Sequence, residues 1–213
     1  MMKIIILSVA AAVSYLLGGV NGAILASKLF HHEDIRDFGS KNPGFTNYKR
    51  VYGNGFVTWM VLIFDIVKTA VPVCLTAVIM WMCYDEWQFG AQFAGLCAML
   101  GHCFPVWYRF KGGKAFMAGF ATIWFVDWRM TLAATALFML VLFTLKYMSV
   151  ASCTAALFCP VVLPFFGVAS IWVELMAIAG AALVILRHYP NFIKLMHGEE
   201  NKFSLSGKKN EAK

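Results

Sequence analysis

Apolar residues run along this chain in long blocks separated by short polar segments. The first block extends from Ile4 to Ser27 and is closed by Lys28, and a second reaches from about Phe56 to Met82, ending at Asp85–Glu86. A third covers about Phe89 to Tyr108, closed by Arg109 and Lys111. Ala115 to Phe125 follows; it is short, stops at the polar Asp127–Arg129, and is the weakest of the set. Met130 to Leu145, Val150 to Val168 and Ile171 to Leu186 complete the series, the last with one acid, Glu174, near its start. Roughly 20 mainly apolar residues cross the hydrocarbon core as a helix. The pattern therefore predicts an all-α polytopic integral membrane protein with about seven transmembrane helices, or five or six if the short segments are re-entrant. No internal repeat and no soluble domain is visible. Residues 1–203 read as one membrane-embedded domain, and residues 204–213 as a basic tail expected to be disordered.

Composition agrees with that class. The chain has 213 residues, 61% hydrophobic and only 14% charged, with a mean hydropathy of +0.70. A soluble domain is about 25% charged, so too little polar surface exists here to clothe a soluble globule. With the amino terminus outside, fifteen Lys and Arg fall in inner segments, while the outer ones keep Lys3 and Arg129. That bias places the carboxyl terminus in the cytoplasm. The net charge of +7 is then a topology signal. No aromatic-basic platform stands outside the membrane to bind nucleic acid. The six Cys lie scattered through apolar runs without a C-x-x-C, as small buried hydrophobes do. The five His are too dispersed to form a metal set, and no cofactor is expected.

An odd number of spans puts three polar, glycine-marked segments on one face: "GSKNPGFTNYKR", "RFKGGKAF" and "RHYPNFIKLMHGEENKF". In the first, Gly39, Pro43 and Gly44 force tight backbone whose N–H groups can converge on an anion. Ser40, Asn42, Thr46 and Asn47 add short polar groups, and Arg50 adds a planar fork suited to phosphate. In the second, Lys111-Gly112-Gly113-Lys114 sets two ammonium groups around a flexible turn without being a Walker loop, and His102 ends the preceding span. In the third, His188 and Asn191 are one helical turn apart and share a face if the helix continues through Pro190. The bland alternative for each is a polar loop that only sets topology, or a satisfied structural histidine. Inside the second block, Asp65 and Lys68 are spaced i, i+3, and a mutual ion pair facing the bundle is the expected arrangement.

Together these segments resemble the bacterial membrane-bound acyl-phosphate:glycerol-3-phosphate acyltransferase family (PlsY). Its first pattern, roughly G-S-G-N-P-G-A-T-N-x-x-R, is matched by Gly39 to Arg50. "GHCFP" with "FKGGKA" matches its second, and "RHYPNFIKL" with "GEE" its third. The D-x-x-K of Asp65 and Lys68 also fits, and the resemblance runs in order from about residue 14 to 203. Departures are Lys41 for glycine, Phe45 for alanine, Ala115 for glycine and Lys194 for arginine. They spare the polar groups expected at phosphate, but Ala115 and Phe45 bear on loop shape and acyl fit.

The resemblance implies transfer of an acyl group from acyl phosphate to the sn-1 hydroxyl of glycerol 3-phosphate, giving 1-acyl-glycerol 3-phosphate and phosphate at the cytoplasmic face of the cell membrane. It implies membrane lipid and those two substrates as partners, with a functional link to an enzyme that makes acyl phosphate. Ser40, Arg50, Lys114 and His188 are the expected catalytic residues. Gly39, Asn42, Gly44, Thr46, Asn47, His102, Lys111, Gly112, Gly113 and Asn191 are expected to bind substrate. Either His188 or a donor phosphate oxygen takes the hydroxyl proton. The alternatives are an acyl-thioester donor and a transporter of phosphate or a lipid phosphate lined by Asp65 and Lys68; purified protein in micelles discriminates, because transport needs a sealed compartment and acyl transfer does not.

Overall fold

The structure, a computed structural model, describes residues 1–168 and 170–203. The expected tail, 204–213, lies outside the described residues. Among the described residues, six helical segments are long and apolar enough to cross a membrane: Met2–His31, Phe56–Tyr84, Trp87–Tyr108, Trp128–Leu145, Met148–Phe166 and Ile171–Met196. A shorter apolar helix, Phe116–Val126, lies between the third and fourth. Nine α-helices are formed among the described residues: α1 (Met2–Gly19), α2 (Gly22–His31), α3 (Phe45–Tyr52), α4 (Phe56–Tyr84), α5 (Trp87–Cys103), α6 (Phe116–Val126), α7 (Trp128–Leu145), α8 (Met148–Val162) and α9 (Ile171–Met196).

The helices bury small and polar residues and turn large apolar ones outward. On α1, Ala10, Ser14 and Gly18 recur every four residues and are buried, while Val9, Val13 and Leu16 are exposed. On α4, Asp65, Thr69, Val73 and Ala77 form the buried stripe, and Ile63, Val67 and Val71 face out. Association in lipid works this way, because tails are as apolar as the side chains they touch and helices gain by close backbone approach. A Cβ on Gly18 would fall 2.3 Å from the Ala98 carbonyl oxygen, and one on Gly101 would fall 2.1 Å from that of Tyr15. That contact seats α1 on α5, the central helix, which also packs against α4, α6 and α9.

The short α6 crosses with help from its loop. Its 11 residues rise only about 16 Å. Gly112 N and Gly113 N donate to the carbonyls of Cys103 and His102, at 3.2 and 3.0 Å, so the preceding loop folds back along the end of α5. At the other end, the Trp87 indole donates to the Phe125 carbonyl. Loop and helix together therefore run the length of α5. Seven crossings then place the amino terminus and Phe203 on opposite faces. Lys3 pairs with Glu86 at 2.7 Å at one, and Phe203 N donates to the Lys146 carbonyl at 2.6 Å at the other.

The first apolar block is not one helix. It breaks at Val20–Asn21, where Asn21 caps α2 by accepting from Ile24 N at 2.9 Å. The break frees the Val20 carbonyl, and a polar group in lipid needs an internal partner. Lys68 Nζ supplies it at 2.7 Å, while also pairing with Asp65 at 2.7 Å and with His102 Nδ1 at 3.1 Å. The expected Asp65–Lys68 pair is present, and it also caps the carboxyl end of α1, where a cation is favoured.

Candidate active site

The first polar segment is a braced turn leading into a helix. Gly39 has φ of +58°, and a Cβ there would lie 2.4 Å from Asn47 Oδ1. Asn47 is buried; its Oδ1 accepts from Ser40 N at 2.8 Å, and its Nδ2 donates to the Phe38 carbonyl at 3.0 Å. Asn21 Nδ2 holds the same turn through the Pro43 carbonyl at 2.9 Å. Gly44, at φ −155°, is extended, and α3 starts after it without a side-chain cap. The first-turn amides of α3 therefore lack intrahelical acceptors, a setting that favours an anion. Helical spacing stacks Thr46 and Arg50 on one face. Arg50 makes no side-chain hydrogen bond among the described residues.

The second segment is moulded between two side chains. A Cβ on Gly113 would fall 2.2 Å from His102 Nε2, and one on Gly112 would fall 2.1 Å from the His102 carbonyl oxygen. From the other side, Arg187 Nε donates to the Gly113 carbonyl at 3.0 Å and Nη2 to that of Gly112 at 2.9 Å. The glycines are thus required by close approach. Both of their N–H groups are already bonded to α5, so they do not form the anion nest expected of them. His102 faces Lys68 and the loop, and Lys111 is exposed and away from the pocket described below. His102, Gly112 and Gly113 thus brace the loop that carries Lys114, and Lys111 does not line the pocket.

Lys114 does point in. Its Nζ donates to Asn191 Oδ1, and Asn191 Nδ2 donates to both Glu200 oxygens at 2.7 and 2.9 Å. Burial pulls the Lys114 ammonium down to about 8, and the Glu200 carboxylate partly opposes that fall. α9 continues unbroken through Pro190 to Met196, which puts His188 and Asn191 on one face. His188 Nδ1 lies 2.8 Å from the Val184 carbonyl. A carbonyl only accepts, so Nδ1 carries the hydrogen and Nε2 is left as an acceptor.

These parts meet in a polar pocket of about 80 Å³, lined by Ser40, Asn42, Thr46, Asn47, Arg50, Lys114, Ser149, His188, Asn191 and Glu200. Eight of them were expected from sequence. Ser149 was not: its hydroxyl, in the first turn of α8, is buried and unpartnered among the described residues. Nothing in "YMSVAS" marks it. Arg187, Asn21 and Glu200 also carried no assigned role. Their signals were a fixed cation beside His188, an Asn-Gly inside an apolar block, and an acid in the third motif. Met148 and Phe203 are shared with a second cavity of about 450 Å³. That cavity has Phe45, tilted against Trp59, at its rim and runs down among α6, α7, α8 and α9 to Met130 and Leu163. A small cationic, hydroxyl-rich chamber thus opens onto a long apolar slot.

Comparison with known proteins gives this pairing a context. A family described as "Glycerol-3-phosphate acyltransferase" matches residues 8–198. A glycerol-3-phosphate acyltransferase of Jannaschia sp. (strain CCS1) is 34% identical over 198 residues, covering 93% of each chain. One from Fusobacterium nucleatum subsp. nucleatum is 34% identical over 190 residues, covering 89% of this chain and 94% of its own. The crystal structure of PlsY, an integral membrane glycerol 3-phosphate acyltransferase, in its glycerol 3-phosphate form superposes with a TM-score of 0.82 at 30% identity, covering 93% of this chain and 96% of that one. The lysophosphatidic acid form gives 0.79 at 28% identity, covering 93% and 95%. Motifs, fold and whole-length similarity agree, and the chain is a membrane-embedded acyltransferase belonging to the glycerol-3-phosphate acyltransferase family.

Proposed function

We propose that this protein transfers an acyl group from acyl phosphate to the sn-1 hydroxyl of glycerol 3-phosphate, the first acylation in phospholipid synthesis. The observation that carries the reading is the junction of the polar pocket with the apolar slot at Met148 and Phe203. A reaction joining a charged, water-soluble acceptor to a long chain needs both environments within one bond length of each other. The solved relative PlsY, described in a glycerol 3-phosphate form and a lysophosphatidic acid form, supports acceptor and product.

Two phosphate-bearing anions repel strongly at this range. Arg50, Lys114 and the α3 N-terminus offset that charge, and Ser40, Thr46 and Ser149 orient oxygens by hydrogen bonds. His188 Nε2 accepts the hydrogen bond of the sn-1 hydroxyl and aims it at the acyl carbon. The hydroxyl oxygen bonds to that carbon, the anhydride C–O bond breaks, and the hydroxyl proton passes by way of His188 Nε2 to the released phosphate. Acyl phosphate is a mixed anhydride with a good leaving group, so no nucleophilic side chain is required. Asn47, Gly39, Asn42 and Gly44 shape the turn, and Asn191 holds Lys114. The bias of basic residues supports a cytoplasmic position for this end of the bundle, in the cell membrane of a bacterium. The donor must come from a reaction that joins an acyl group to phosphate.

The test is purified protein in detergent micelles with glycerol 3-phosphate and either acyl phosphate or an acyl thioester. Lysophosphatidate and phosphate in equal amounts from the first alone is the expected result. Turnover from the thioester instead would overturn the donor assignment.

A further inference from the structure

Gln92 sits where an apolar slot has least reason to hold an amide. It is 5% exposed, lines the 450 Å³ cavity from α5, and makes no side-chain hydrogen bond among the described residues. The slot's threonines differ: Thr122 donates to the Ala118 carbonyl at 2.9 Å and Thr135 to that of Thr131 at 2.7 Å, so both hydroxyls are bonded to their own helices. The other strongly polar lining groups, Lys49 and Asn54, belong to the rim around α3. Gln92 is therefore a lone uncommitted amide in the deep part of a cavity that Met130, Ile123, Cys159 and Leu163 also line.

Its depth is measurable along two helices. His102 packs on Gly113, beside Lys114, and so marks the level of the polar pocket. Gln92 lies ten residues earlier on α5, about 15 Å further in. On α8, Ser149 lines the polar pocket and Cys159 lines the slot ten residues on, again about 15 Å deeper. A membrane lipid chain fills about half of a ~30 Å hydrocarbon core, or roughly 15 Å. The terminal methyl of an ordinary chain, its carboxyl carbon held at Lys114, thus arrives at Gln92.

We propose that Gln92 is a specificity-determining polar wall near the deep end of the acyl slot: it disfavours chains whose additional methylenes must press against its amide, and so sets the upper chain length that the enzyme accepts. A methylene gains by leaving water only when it meets an apolar wall, and pressing it on an amide also closes that amide off from any hydrogen-bonding partner. The penalty thus begins abruptly at one length. The inference rests on the acyl-transfer reading above and concerns the chain held by donor and product alike.

Gln92→Met keeps length and volume and removes the amide. Initial rates would be measured with even-numbered acyl phosphates from decanoyl to icosanoyl. The wild type should peak in the myristoyl-to-palmitoyl range and fall beyond it. In Gln92→Met, kcat/KM for stearoyl and icosanoyl donors should rise about 10-fold relative to palmitoyl, the discrimination one methylene commands in an apolar pocket. The decanoyl and lauroyl values should not change. Gln92→Leu should do the same. A uniform change at every length would overturn the proposal. A parallel series uses thermal protection by lysophosphatidates of the same chain lengths. If no acyl phosphate turns over but the protection profile still breaks at Gln92, the donor assignment fails and the length limit stands. An identical protection profile in wild type and variants sinks the length limit whatever the donor.

Discussion

Lys114 offers the sharpest test of the pocket, because its charge should switch within the range where rates are readily measured. Burial lowers its ammonium from an ordinary 10.5 to about 8. If the charged form holds the anions, about nine-tenths of free enzyme is competent at pH 7 and about one-tenth at pH 9. kcat/KM, which reports free enzyme, should then fall about 10-fold per unit above pH 8. A bound phosphate dianion stabilises the ammonium, so the fall in kcat should begin at higher pH. Two variants locate the cause. Glu200→Gln removes the carboxylate that holds the Lys114 value up, and should move the limb down by roughly one unit. Lys114→Arg stays charged throughout and should abolish the limb, at a cost of about 10-fold in rate from altered geometry. Stability should run the opposite way. Between about 8 and 10.5 the unfolded chain keeps a proton that the native Lys114 has lost, so stability rises with pH across that window, by at most about 3 kcal/mol. Lys114→Met should lose that slope in a thermal-shift series. A limb that stays at pH 8 in Lys114→Arg would refute the assignment.

Three further outcomes concern the first two loops. Arg50→Lys keeps the charge but loses the fork, and should lower kcat/KM by roughly 10- to 150-fold in steady-state kinetics with each substrate varied; unchanged constants would make Arg50 a topology marker. Lys41, at φ +59° and exposed, carries left-handed strain of about 1–2 kcal/mol, so Lys41→Gly should raise thermal stability by a net ~0.5–1 kcal/mol. Ala115→Gly, relieving the same strain at φ +56° but losing about 0.8 kcal/mol of buried methyl, should leave it nearly unchanged.

The bundle was legible because lipid makes a helix of any long apolar run, and the three loops because glycine, proline and cations are rare elsewhere. What escaped was contact between distant segments. The break at Val20–Asn21 is tolerated because the carbonyl it frees is satisfied by Lys68, 48 residues on. Gly112 and Gly113 read as an anion nest, and only the 2.1 Å and 2.2 Å approaches to His102 show why no side chain fits. Both glycine departures, Lys41 and Ala115, adopt the positive φ that the replaced glycine would take freely. The loop shape is therefore kept at the expense of strain. Ser149 was invisible because one serine among the small residues of a membrane helix has no neighbour to distinguish it.

The buried polar groups then acquire a common purpose. Lys68 neutralises Asp65, caps α1 and meets His102, whose ring fills the space that Gly113 leaves. Arg187 closes on the same two glycines from α9, one residue before His188. The loop bearing Lys114 is gripped from both sides by helices that also carry or adjoin the reacting groups. Such a grip matters in this setting. A lysine ammonium held by its own flexible stem would drift toward water at the membrane surface. Fixed by its backbone at the depth where α6 begins, it stays beside the mouth of the slot. Charge deep in a bundle is costly unless paired. Here the pairing itself sets the geometry, so the polar residues that lipid tolerates least are the ones that hold the loop in place.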